Sequence, residues 1–362
     1  MSAADDRTLF QPAANAADQD WPRLAEHLAA HGMSLDLSDP PRQFASGFGN
    51  LNYRIMLDGQ TAVLRRPPFG PIQPGANDMV RESRILERLW QRFPLAPRCL
   101  HACADEAVLG APFFIMEYRP GLVIGEEIPA HLTAWRGADG SRPGNVIGKA
   151  LVETLAALHA VDPADVGLDT LGRPEGFLER TMAGWTKRAH LAWKDSPPAE
   201  LDALLAALAK LNVPASKATL LHNDFKLDNV ILDEATLAPV AVIDWDMGTR
   251  GDPLYDLAVL LSYWTEKDDP PVMHRLKQMP SAGHGFPSRE EIARHYAALT
   301  GRGLSEFRFH RVLSILRSAV VFMQLYRRYR DGGTGDERFA AFGDLANELL
   351  ALGRDVAAEK YF

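Results

Sequence analysis

LLHNDFKLDNVIL, residues 220–232, sets two apolar shoulders, Leu220-Leu221 and Val230-Ile231-Leu232, around a polar centre of His222, Asp224, Lys226, Asp228 and Asn229. Apolar ends on so short a segment anchor it in a core as brief strands, and the polar middle then becomes a rigidly held loop at the core's edge. Such loops are where catalytic groups concentrate. Asp244 follows in VIDWD, fifteen residues after Asn229. An aspartate that can accept a hydroxyl proton, joined by an amide oxygen and a second carboxylate that can hold Mg²⁺, is the set phosphoryl transfer requires. That chemistry needs positioning and charge neutralisation more than covalent catalysis.

Composition sets the limits around this loop. At 362 residues, with 46% hydrophobic and 24% charged, the chain is ordinary globular material and long enough for two domains or one bilobal one. A net charge of −8 argues against a nucleic-acid partner, which calls for a basic stripe and a basic balance. Residues 1–20 are acidic and lack an apolar stretch of the kind a signal peptide carries, so they read as a mobile leader of a cytoplasmic protein. No stretch approaches the roughly 18 apolar residues of a spanning helix, and no membrane partner is expected. Cys99 and Cys103 flank His101 in CLHAC, but without a second ligand cluster in the sequence the pair reads as buried free thiols. GNVIGKA (144–150) imitates a phosphate-binding loop, yet it has three residues between its glycines and ends in Ala150, so it reads as a helix start.

Along the chain, residues 21–32 have helical spacing and end on Gly32, after which the pattern turns to short strands in FASGFGNLNYRIML, TAVLRR and PFFIMEY. Between the second and third, residues 78–93 carry an apolar stripe at Val80, Ile85, Leu86, Leu89 and Trp90, with charge on the opposite helix face. From residue 145 onward long helical patterns dominate, interrupted by residues 220–232 and by AVIDWD (241–246). The expected fold is α+β: a leader (1–20), a β-rich nucleotide-binding lobe (21–118) and a mostly helical lobe (119–362) that carries the catalytic loop and the acceptor site.

His-x-Asp-x-Lys-x-x-Asn followed by Ile-Asp-Trp-Asp resembles the aminoglycoside phosphotransferase-like branch of the protein-kinase fold. The resemblance covers nearly the whole chain and is closest to the kinase-like domain fused to certain acyl-CoA dehydrogenases and to its bacterial stand-alone relatives, through VLRRPP (63–68), PFFIMEYRPG (112–121), GDPLYDLA (251–258) and GFPSREEIARHYAALTGR (285–302). It implies a bilobal kinase-like fold and an ATP- and Mg²⁺-dependent small-molecule kinase. Asp224 becomes the catalytic base, Lys226 the neutraliser of the transferring phosphate, and Asn229 and Asp244 the Mg²⁺ ligands. Asp256 resembles the helix aspartate that clamps the loop's amides.

In the first lobe, Ser46, Gly47, Gly49 and Asn50 of SGFGNLNY resemble the nucleotide-covering loop, whose backbone N–H groups meet phosphates. Arg65 falls where the family has a lysine, and it is expected to pair with Glu82; Arg66 competes for the role, although alternation points it to the other face. Glu117 and Tyr118 read as the hinge whose backbone meets adenine.

The acceptor is a small molecule. Residues 286–330 contain nine arginines against three acids, a basic stretch expected to favour an anionic, partly apolar acceptor such as a hydroxyacyl-CoA or hydroxy acid. An antibiotic-modifying kinase and a catalytically weak, nucleotide-binding regulatory protein remain as alternatives.

Overall fold

The computed structural model describes residues 9–45, 49–70, 77–215 and 217–362. The chain divides into two compact units. The described residues up to Pro120, with Val166–Leu168 and Val240–Gly248, make the first, and the remainder makes the second.

The first unit is built on an antiparallel sheet with strand order β1-β2-β3-β5-β4. Its strands are β1 (Arg42–Gln43), β2 (Leu51–Leu57), β3 (Gln60–Arg66), β4 (Cys99–Cys103) and β5 (Phe113–Glu117). β2 and β3 meet at Asp58-Gly59, both at positive φ (50° and 74°). That is the demand of a tight two-residue hairpin, and Asp-Gly meets it with little strain. Helix α1 (Trp21–Ala30) lays Leu24 and Leu28 into a core with Tyr53, Ile55, Leu64, Phe113 and Ile115. Helix α2 (Met79–Leu89), capped by Asp78 accepting from the Arg81 amide, is amphipathic and packs on β4 and β5. The short α3 (Glu106–Leu109) follows β4.

Residues 9–20 differ from the expected mobile leader. Phe10 is buried and bridges Phe44, the Gln11 amide donates to the Gln43 carbonyl at 2.8 Å, and the Gln19 side chain donates to the Tyr53 hydroxyl at 2.8 Å. One aromatic side chain and the unpaired edge of β1 suffice to hold an otherwise acidic stretch.

The second unit is largely helical: α4 (Pro143–His159), α5 (Phe177–Ala192), α6 (Ala199–Leu208), α7 (Pro253–Tyr263), α8 (Pro271–Leu276), α9 (Arg289–Thr300), α10 (Phe307–Arg330) and α11 (Phe342–Ala357). α7 and α10 are buried along most of their length and pack on each other, and α10 also packs on α5 and α11. The chain returns to β-structure in β6 (Thr219–Leu221), β7 (Val230–Leu232) and β9 (Thr249–Gly251), with β6 and β9 antiparallel, and in β8 (Pro239–Val242), most of which belongs to the first unit. The apolar shoulders of residues 220–232 thus lie in β6 and β7, and the polar centre is the loop between them.

Candidate active site

In the second unit, the loop between β6 and β7 is held by its backbone. Asp256, fully buried near the start of α7, accepts the His222 amide at 2.7 Å and the Asn223 amide at 2.7 Å on its two oxygens. His159, at the end of α4, approaches the same carboxylate with Nε2 at 3.2 Å and meets the Tyr296 hydroxyl with Nδ1 at 2.6 Å. Asn223 takes a positive φ of 64°, a turn that asparagine tolerates better than most residues. Asp224 follows this turn. The Asn229 amide group donates to the Asp224 carbonyl at 3.0 Å, which ties the two residues together and leaves the amide oxygen of Asn229 as an acceptor.

The Asp224 carboxylate has partners that the spacing of the motif did not reveal. Its Oδ1 accepts from Arg317 Nη2 at 2.7 Å and from the Tyr263 hydroxyl at 3.0 Å. Arg317 also donates to the Tyr263 oxygen at 3.0 Å and to the Asn223 carbonyl at 3.3 Å. Lys226 Nζ lies 4.0 Å from Asp224 Oδ2 and 3.1 Å from Asp228 Oδ2. Burial by itself would raise the Asp224 carboxyl, but the Arg317 guanidinium, followed by the Lys226 ammonium, reverses this and holds it at about 2. The same arrangement raises Lys226 against the pull of burial.

Arg317, one of the arginines of the basic stretch 286–330, is buried on Asp224 and is not part of a basic surface. Of the nine arginines, Arg289, Arg311 and Arg317 are buried. Arg289 is paired with Asp269 and Glu266, Arg294 with Glu290, Arg308 with Glu359, and Arg327 with Asp195. The signal that could have separated Arg317 from the rest is its setting in the apolar run of α10, where a charge is rarely buried without a partner.

In the first unit, Arg65 leaves β3 towards α2. Its Nε donates to Glu82 Oε2 at 2.9 Å, its Nη1 to Asn52 Oδ1 at 3.2 Å, and its Nη2 to Asp244 Oδ1. Burial pushes the Glu82 carboxyl upward against the opposing pull of Arg65; Glu82 also accepts the Trp245 amide at 3.0 Å. Asp244 sits at a positive φ of 66°, and its second oxygen meets no donor among the described residues. Arg66, one step along the strand, faces away from α2: it donates to Gln19 Oε1 at 2.6 Å and to the Leu109 carbonyl at 2.8 Å. Alternation along β3 therefore separates the two candidates, and Arg65 is the one beside Glu82.

Ser46 and Gly47 lie outside the described residues. Asn50 is buried, and its side-chain oxygen accepts from Asn77 at 2.6 Å, while the Gly49 carbonyl accepts from the same amide at 3.3 Å. At the expected hinge the Glu117 amide donates to the Arg98 carbonyl at 2.9 Å, and the Glu117 carboxylate pairs with Arg119 at 2.7 Å. That amide cannot also serve an adenine edge while the bond stands, which removes one of the backbone groups expected of Glu117. The Tyr118 ring stacks on Phe44 with centroids 6.4 Å apart.

Two mouse proteins are similar to this chain: acyl-CoA dehydrogenase family member 10, 30% identical over 324 residues, and family member 11, 32% identical over 320 residues. The matches cover 88% and 87% of this chain but only 29% and 40% of the relatives, so the chain spans well under half of their length. Among solved structures, a protein described only as a candidate aminoglycoside phosphotransferase of Ralstonia eutropha superposes with a TM-score of 0.75 at 24% identity, covering 94% of this chain and 99% of that one. A thermostable mutant of an aminoglycoside phosphotransferase, in complex with AMP-PNP and hygromycin B, superposes with a TM-score of 0.57 at 17% identity, covering 94% and 97%. These likenesses give the kinase-like fold, with an antiparallel sheet in the first unit and a helical second unit. The model of the phosphotransferase enzyme family matches residues 41–292, about two thirds of the chain and every residue of the Asp224 loop and the Arg65–Glu82–Asp244 cluster, and the chain belongs to that family.

Proposed function

We propose that the protein transfers the γ-phosphate of ATP to a hydroxyl of a small molecule, with Asp224 as the base that receives the hydroxyl proton. The observation that carries this reading is the carboxylate of Asp224 itself: its Oδ1 is fixed by Arg317 and Tyr263, on a loop whose amides are clamped by Asp256. Rotation of the carboxylate is locked, and Oδ2 remains to meet an acceptor. The acceptor oxygen forms the new bond to phosphorus as the bond to ADP breaks, and its proton passes to Asp224. A carboxyl held at about 2 is too weak a base to deprotonate an alcohol in advance. It serves a loose transition state, in which the proton leaves late and orientation matters most. Lys226, 4.0 Å from Oδ2, would offset charge on the transferring phosphoryl group.

The donor chemistry fits Mg²⁺, a hard cation that takes oxygen ligands. The oxygens that would hold it are, in the second unit, the amide oxygen of Asn229 and, in the first, the Asp244 carboxylate oxygen that Arg65 does not engage. Such an ion would supply neutralisation of the phosphate charge. Arg65 stands for the usual lysine: it keeps a permanent positive charge, oriented by Glu82. Support for ATP comes from the family and from the AMP-PNP complex of a protein with the same fold.

For the acceptor we favour a hydroxyacyl-CoA or a hydroxy acid, by analogy with the acyl-CoA dehydrogenase relatives. The internal pairing of the arginines in residues 286–330 withdraws charge as an argument for an anionic acceptor, so the analogy carries it alone. The test is ATP consumption with mass spectrometry of the product across hydroxyacyl-CoAs, hydroxy acids and kanamycin-type compounds. A phosphate monoester of a hydroxyacyl compound is expected. Turnover of aminoglycosides alone would replace this acceptor class, and no Mg²⁺-dependent turnover with any acceptor would favour a regulatory binding protein.

A further inference from the structure

On the face of the first unit's sheet that α1 covers, away from Arg65 and α2, three imidazoles converge. His27 and His31 stand four residues apart, at the end of α1 and just beyond it, a spacing that puts both side chains on one face of the helix. His101 comes from β4, across a register shift between Cys99 and His101 that breaks the regular alternation of the strand. A bulge of this kind re-aims the side chain that follows it. His27 Nε2 and His101 Nε2 are 3.0 Å apart, and a ligand nitrogen of His31 completes a set in which all three atoms lie within 4.8 Å of one another.

We propose that His27, His31 and His101 form a binding site for a zinc-class divalent transition-metal ion. The nitrogens of two imidazoles bound to one tetrahedral zinc at about 2.0–2.1 Å stand about 3.3 Å apart, close to the His27–His101 separation. His31 Nδ1 lies 2.8 Å from the His27 carbonyl, which can only accept, so Nδ1 carries the proton and Nε2 presents its lone pair. Anchoring the far nitrogen on a backbone carbonyl is how metal-binding histidines are commonly oriented. Phe113, with its ring centroid 6.0 Å from that of His27 and 6.2 Å from that of His101, is fully buried and walls the site on the core side.

His31 is exposed and the other two are half-buried, which leaves the fourth coordination position open to water. The buried thiols of Cys99 and Cys103 are directed at the carbonyls of His101 and Asp105, so the donor set is three nitrogens. Three neutral imidazoles suit zinc, nickel or copper and disfavour magnesium, which sets this site apart from the oxygen donors of Asn229 and Asp244. An ion here ties α1 to β4, two elements otherwise joined through the apolar core, and stabilises the first unit without touching the proposed chemistry.

The experiment is a calorimetric Zn²⁺ titration of protein free of any histidine tag, repeated with Co²⁺ while its visible spectrum is recorded. Companion titrations use His31→Gln and His101→Gln. One ion per chain, a tetrahedral-type Co²⁺ spectrum, and a loss of affinity of more than about a hundredfold in either variant are expected, since removing a ligand outweighs removing an outer partner. Wild-type affinity in both variants, no saturable site, or displacement of Zn²⁺ by excess Mg²⁺ would overturn the proposal. Should His101→Gln fail to fold, His31→Gln decides alone, because its side chain is exposed.

Discussion

Arg317 Nη2 and Asp224 Oδ1 stand 2.7 Å apart, bringing a buried arginine of α10 onto the carboxylate proposed as the catalytic base. Arg317→Ala leaves that carboxylate in a part-buried site without its main counter-charge, at a cost of about 3–5 kcal/mol. Chemical denaturation is expected to show this loss, with Arg317→Lys recovering part of it. A midpoint equal to that of the parent protein would mean that the pair contributes nothing net.

The same pair sets a pH dependence. Asp224 is lowered from 3.8 to about 2 in the folded protein, so its ionised form contributes stability that is present above the unfolded value and is lost as pH falls towards 2. The Arg317→Ala variant loses the largest charge that opposes burial, and the carboxyl is expected to rise. The acidic limb of kcat/KM is then expected to move to higher pH, and an unmoved limb would assign the titration to another group.

Asp224→Asn should leave Mg²⁺·ATP binding nearly intact and lower turnover by about 10² or more, the share of a general base. Asp244→Ala is expected to weaken Mg²⁺·ATP binding, because it removes the charged oxygen proposed to hold the ion. Calorimetry and steady-state kinetics separate the two roles; the reverse pattern would exchange the assignments.

Arg65 engages Glu82, Asn52 and Asp244 through three different nitrogens, which a lysine cannot reproduce. Arg65→Lys should keep the charge and part of the activity, whereas Arg65→Ala should raise KM for ATP and lower kcat together. Arg66→Ala serves as the register control. It should loosen the segment around Gln19, detected by faster amide exchange there, and leave KM for ATP unchanged.

Asp256→Ala removes the acceptor of two loop amides, each then costing about 1–3 kcal/mol if left unpaired. Lower stability with a turnover loss larger than any change in nucleotide affinity is the expected outcome. Full activity would make the clamp dispensable.

What the sequence determined by itself was local. The apolar shoulders at 220–221 and 230–232 specify a strand-loop-strand and alternation in VLRR separates Arg65 from Arg66, because the strand period decides which face a side chain takes. The stripe at 78–93 marks the helix but not its buried face, on which charged Glu82 lies while Val80 of the stripe is exposed. What tertiary structure alone decided lies across long stretches of chain. Arg317 meets Asp224 over 93 residues, Arg65 meets Asp244 over 179, and His27 meets His101 over 74. An arginine on a solvated helix face and one buried on a carboxylate look the same in sequence, which is why the stretch 286–330 read as a basic surface. Only the packing of α10 against α7 decides which charge loses its water, and a buried charge then holds whatever counter-charge the fold places beside it.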